Sequence, residues 1–248
     1  DVNPETVAQA QALLDDLMDN LYSLETDSGK ADMITGKIVA NYQWSGDAVY
    51  AMDQADADGF TLKFAVPRES TNLWFDGWVM LKSGIDGSAR KQHAAEAFVN
   101  FLSRTDNAVR NMYYIGYTSS IAGNDRDDTI YEYLNWCYGA GEEDGDIMEY
   151  PVGYFFSGDN NDRDYMLEAS SSQIGRQLYS QYPPQEVMDR TAVMRYFDAD
   201  ANKAINQMWI NVRCFDIHDV PMGIRIVLLA ALLWIIWIFY QKSALKMK

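Results

Sequence analysis

MITGKIVANYQWSGDAVYAMDQADADGFTLKFAVP, residues 33–67, decides the fold class. Ile38 to Trp44 reads as a strand, and Ser45-Gly46-Asp47 then opens a helix carrying Val49, Tyr50 and Met52. Phe60 to Val66 alternates apolar and polar residues like a second strand and stops at Pro67. The same alternation of element types continues outward in both directions, which favours an α/β sheet with helices on its faces.

Upstream, Asn3-Pro4-Glu5 is a helix start with a cap, a proline at the first position and an acid in the first turn. That helix extends to about residue 20, with Val7, Ala10, Leu13, Leu14 and Leu17 on its apolar face. Asp1 opens the chain directly on this pattern, without an initiator Met or a signal peptide, as in a segment beginning partway through a larger protein. Downstream, Leu73 to Leu81 reads as a strand, and Ala89 to Arg104 as an amphipathic helix with Ala94, Ala95, Phe98, Phe101 and Leu102 inward. Helices are expected at 107–114, 127–137, 171–179, 184–188 and 199–212. Residues 139–164 are mostly loop, with a strand near 150–156.

The chain has 248 residues and a net charge of −16. Nucleic acid is a poor partner for such a field, whereas a cationic ligand suits it. From Pro221 onward there are four basic residues and no acidic ones, so residues 1–220 carry −20. Cys137 and Cys214 are the two cysteines, able to pair only with each other. His93 and His218 do not suggest a metal pair. The sequence contains no glycine-rich phosphate loop, nucleophile elbow, zinc-protease motif or Cys-x-x-Cys, which favours a binder over an enzyme and implies no cofactor.

Two aspartates stand beside aromatic residues. If 73–81 is a strand, Trp74, Asp76 and Trp78 share one face. A carboxylate between indoles can seat an ammonium group by a charged hydrogen bond and a cation–π contact. Asp76-Gly77 is equally a hairpin-turn signal. Asp47 lies at the junction of a strand with a helix, where α/β folds line their clefts, but an acid also suits the first helical turn. Trp44 fits a core position or a ligand platform. Tyr117 fits an amine contact or a loop cap.

The tail is different. Ile226 to Tyr240, IVLLAALLWIIWIFY, is uncharged, and residues 221–241 have the length of a bilayer crossing. A buried core helix is the other reading. Lysines at 242, 246 and 248 place the C-terminus in the cytoplasm and the acidic body outside.

NPETVAQAQALLDDL (3–17), MITGKIVANYQWSGDAVYA (33–51), VPRESTNLWFDGWVMLKSG (66–84), AAEAFVNFLSRTDNAVRNMYYIGYTSS (94–120) and QYPPQEVMDRTAVMRYF (181–197) carry a resemblance. Together they resemble the C-terminal two-thirds of the periplasmic spermidine/putrescine (polyamine)-binding proteins of ABC transporters, over residues 3–213. The resemblance implies a two-lobed periplasmic-binding-protein fold of type II with an incomplete first lobe. Residues 1–70 and 123–215 would belong to the second lobe, and 71–122 to the return segment of the first. A transmembrane helix at 221–241 and a cytoplasmic tail at 242–248 would follow.

It implies ligand-binding roles for five residues. Trp44 would form a wall against the alkyl chain, and Asp47 would take an amine. Trp74 would stack on the ligand, Asp76 would be the main carboxylate, and Tyr117 would add a polar or packing contact. The family's N-terminal stretch is absent here, and residues 138–180 look longer than usual. The implied function is an extracytoplasmic receptor, tethered at the inner membrane, that hands a linear polyamine to an ABC permease. Two alternatives use the same residues: a carbohydrate hydrolase with paired carboxylates, and a binder of another small solute, for which Arg68 is the nearest arginine.

Overall fold

Helices form where the sequence carries local signals, and strands form only where a neighbour is present. The computed structural model describes residues 2–123, 127–213 and 222–246, the last stretch without the side chains of 222, 225 and 239–246. Cys214 and His218, and with them any pairing of Cys214 with Cys137, lie outside the described residues.

The first unit comprises residues 1–23 and 195–248. Here α1 (Pro4–Met18) starts on a reciprocal cap: the Asn3 side chain accepts from the Thr6 amide, and the Thr6 hydroxyl accepts from the Asn3 amide, both at 3.0 Å. α1 packs against α11 (Ala199–Arg213), whose Met208 and Val212 are buried. The Asn211 amide donates to Gln11 at 3.0 Å across this pair. α1 itself buries no residue, and Leu13 stays 73% exposed, so its expected apolar face is only partly covered. α12 (Met222–Lys246) is a continuous helix. No helix among the described residues is long and apolar enough to cross a membrane. The expected membrane crossing at 221–241 is therefore not shown by these residues.

The second unit comprises residues 24–194. It contains α2 (Gly29–Ile34), α3 (Ser45–Ala57), β1 (Thr71–Leu73), α4 (Lys82–Ile85), α5 (Ala89–Leu102), α6 (Thr105–Ile115) and α7 (Thr129–Tyr138). After these come β2 (Ile147–Pro151), α8 (Gly153–Phe156), β3 (Met166–Ser170), α9 (Gln177–Gln181), α10 (Gln185–Met188) and β4 (Thr191–Val193). The unit is therefore mixed α/β, but its sheets are small. β1 pairs in parallel with β4, in register Thr71 to Thr191, and β2 pairs antiparallel with β3. Met112, Ile130, Leu134, Val152, Leu167 and Leu178 are buried in one core under these elements. Ala48, Val49 and Met52 of α3 form a second core with Leu62 and Phe64.

Three expected strands are corrected. Residues 38–44 and 60–66 form no strand, and 73–81 reduces to the end of β1. Leu62, Phe64 and Val66 do alternate inward, but the backbone bonds here are scattered: the Phe60 amide donates to Ala55 O at 3.0 Å, the Phe64 amide to Gly175 O at 2.7 Å, and Leu62 O accepts from Arg176 at 2.8 Å. A strand needs a ladder partner for its amides and carbonyls, and none runs beside these segments among the described residues. At 74–81 the ladder ends with β4, and Asp76-Gly77 is poor strand sequence. The expectation that Trp74, Asp76 and Trp78 share a strand face fails with it. The inward face of α5 is corrected too: it buries no residue, with Phe98 54% and Phe101 52% exposed.

Candidate functional site

The site is assembled on the first turn of α3. Trp44 is the residue before it, extended at φ −65° and ψ 145°, so the chain turns from the 38–44 segment into the helix at Ser45. Asp47 then sits in the first turn, where the partial positive charge of the helix end favours a carboxylate.

Two glycines bring the end of α6 onto this turn. Gly116 ends α6 in the left-handed region at φ 76°, and a Cβ there would lie 2.8 Å from the Gly46 carbonyl oxygen. Gly46 is buried, and a Cβ on it would come within 2.2 Å of the Tyr117 ring. Tyr117 is thus seated directly on the helix start. α9 fixes both partners from behind. Gln181 Nε2 donates to Gly116 O at 2.8 Å, Thr118 Oγ1 donates to Gln181 O at 2.7 Å, and Ser180 Oγ donates to Ser45 O at 2.9 Å. Tyr138 OH holds the Gln181 side chain at 2.7 Å.

β1 delivers Trp74 into the same place, one residue past its last paired position. Trp74 is the middle ring of three. It meets Trp44 edge-on, with centroids 5.2 Å apart at 79°, and Tyr117 at 5.6 Å and 66°. Such edge-to-face pairs contribute about 0.5–1.5 kcal/mol each beyond their buried area. Trp78 is elsewhere, 66% exposed and packed edge-on against Phe98 of α5 at 6.0 Å.

The Tyr117 phenol reports the local field. Its pKa is pushed up to about 12, first by burial, then by the Asp47 charge and a hydrogen bond to the Asp47 side chain, and further by the Asp76 charge. Two carboxylates from segments 29 residues apart therefore act on one hydroxyl. They differ in their neighbours. Asp47 accepts from Lys30 Nζ of α2 at 3.2 Å, with its side chain only 15% exposed. Asp76 is exposed and has no ion-pair partner among the described residues.

Of the five residues singled out from the sequence, Trp44, Trp74 and Tyr117 form one ring cluster at the helix turn of Asp47, and Asp76 follows Trp74 on an exposed segment whose charge acts on the Tyr117 hydroxyl. Lys30, Gly46 and Gly116 were not singled out. Lys30 carries no local signal, since its partner lies 17 residues away. Gly46 could have been noticed as a small residue inside WSGD. Arg68 and His93 are exposed, and no group of metal-ligating side chains occurs among the described residues. An arrangement of three rings beside two carboxylates can hold an aliphatic cation, with apolar contact along its stem and charged hydrogen bonds at its ends.

Comparison with known proteins adds three findings. The sequence profile of the bacterial extracellular solute-binding proteins matches residues 1–133, which include all five residues. A putrescine/agmatine-binding protein of Pseudomonas aeruginosa is 25% identical over 117 residues. That match covers 46% of this chain and 30% of the relative's length. No solved structure matches.

Proposed function

Because this chain belongs to the bacterial extracellular solute-binding protein family, we propose that its site takes a linear polyamine of the putrescine and spermidine class. Asp76 binds one ammonium end, Asp47 the other, and Trp44, Trp74 and Tyr117 line the methylenes between them. The observation that carries this reading is the wall formed by the Trp44, Trp74 and Tyr117 rings, built on the helix turn that holds Asp47 and on the segment that continues to Asp76. The similarity to a putrescine/agmatine-binding protein supports the same ligand class, and a guanidinium end would suit Asp76 as well as an ammonium. The family is one of solute-binding proteins, so the hydrolase alternative is not carried further.

In this reading the protein works outside the cytoplasm and hands its ligand to an ABC permease. Two lobes close over the ligand, with residues 1–70 and 123–215 in one and 71–122 in the other. The uncharged run 226–240, helical in its backbone within α12, serves as a single membrane anchor with the C-terminus in the cytoplasm. Tethering would raise the receptor's effective concentration at the permease.

The test is calorimetry with putrescine and spermidine on the complete receptor. Asp76→Ala is expected to weaken binding by more than about 1 kcal/mol, the scale of one charged hydrogen bond. Unchanged affinity would refute the role of Asp76.

A further inference from the structure

Lys30 already holds the carboxylate that the second amine of a diamine would need. We propose that the Lys30 ammonium is a built-in substitute for the ligand's cation, which a diamine must displace from Asp47 in order to bind by both ends. The inference rests on the polyamine reading of the site.

The geometry suits a displaceable ion rather than a permanent one. Lys30 reaches Asp47 Oδ1 through one bond of 3.2 Å, and its side chain remains 32% exposed. A flexible four-carbon stem with an exposed side can swing its ammonium toward water. Its helix is nevertheless seated where the ammonium returns: Gly29 lies against the Asn41 amide, which a Cβ would approach to 2.7 Å. The same unit contains a contrasting pair. Arg176 is buried and bonds Asp56, the Leu62 carbonyl at 2.8 Å and Gln177 Oε1 at 3.2 Å. That fork has several anchors and little exposure, so it is a fixed staple, whereas Lys30 has one anchor and a way out.

The charge balance gives the consequence. With Lys30 in place, Asp47 is neutralised and Asp76 alone faces the ligand as an unpaired anion. With Lys30 withdrawn, the site offers two carboxylates to one dication. Lys30 therefore competes with the second ammonium group and lowers the affinity for diamines, leaving a receptor able to release its cargo.

Titration calorimetry of the complete receptor with putrescine, on wild type, Lys30→Met, Asp47→Asn and the double variant, tests this. Lys30→Met is expected to bind about three- to tenfold more tightly than wild type, the range of one ordinary net hydrogen bond, since the part-exposed ion pair it removes is weak. In the Asp47→Asn background the same change should have no further effect. Lys30→Gln provides a second neutral variant should the methionine disturb folding. If wild type binds putrescine and both neutral variants bind equally or more weakly, the competition is refuted while the polyamine reading stands. A gain that persists in the Asp47→Asn background also overturns it. If no variant with Asp47 and Asp76 intact binds putrescine, both the reading and the inference fall.

Discussion

Tyr117 rests on the bare Cα of Gly46, so close that a single added carbon would come within 2.2 Å of the ring. The contact joins the end of α6 to the start of α3 and sets the phenol beside Asp47. Gly46→Ala should force the ring away and lower stability by about 1–3 kcal/mol, as overpacking does elsewhere. Urea unfolding measures it. A variant as stable as wild type would mean that the ring has room the structure does not show.

The phenol itself offers a spectroscopic reading. Its pKa of about 12 lies above the ordinary value near 10, with burial the leading cause and Asp47 next. In an alkaline absorbance titration, Tyr117→Phe should remove one late ionisation. Asp47→Asn should move it toward 10 without reaching it, because burial remains. The sign for stability follows. Below about 10 the phenol is protonated in folded and unfolded chains alike, so its contribution is intact. As pH rises from there toward 12 the unfolded chain loses its proton first, and stability falls. Tyr133, Tyr138, Tyr150 and Tyr182, pushed up mainly by burial, should also ionise late and join the ordinary range on unfolding.

Arg176 should behave as a structural residue. Arg176→Met strands the Leu62 carbonyl and leaves Asp56 without its guanidinium. The expected loss is about 2–4 kcal/mol, moderated because Asp56 retains contact with water. Chemical denaturation should show it as a lower midpoint with an unchanged slope. Putrescine affinity, measured at low denaturant on the folded fraction, should change less than in Asp76→Ala.

The C-terminal helix gives a plain localisation experiment. If the run 226–240 anchors the protein, the full chain should sediment with membranes and resist alkaline carbonate. A chain ending at Arg213 should be released to the soluble fraction. A full chain that is already soluble would remove the anchor from the proposed function.

What the sequence disclosed divides along a physical line. Helices were readable because their signals are local: the Asn3 cap, the acid after Trp44 in α3, and the apolar spacing of Ile130 and Leu134 in α7 are each contained within a few turns. Strands were less so: Ile38–Trp44 and Phe60–Val66 have strand-like composition with no ladder beside them among the described residues, and the strand expected near 150–156 overlaps β2 at its first two residues only. The site was partly readable. Trp44 with Asp47 and Trp74 with Asp76 are each close in sequence, and the family resemblance linked them with Tyr117. Lys30 was hidden, since nothing in SGKADM indicates a bond to a helix that starts 15 residues later. Seating one glycine against a ring 71 residues away is likewise a property of the folded chain alone.

The parallel pairing of β1 with β4 joins residues 120 positions apart. A ribosome must therefore polymerise the chain through Val193 before Leu73 acquires its neighbour and Trp74 a fixed seat. Closing so long a loop is entropically demanding and delays this part of the structure relative to the helices. A nascent chain thus carries both aspartates well before Trp74 is held beside them, so the aromatic wall is among the last parts of the site to form.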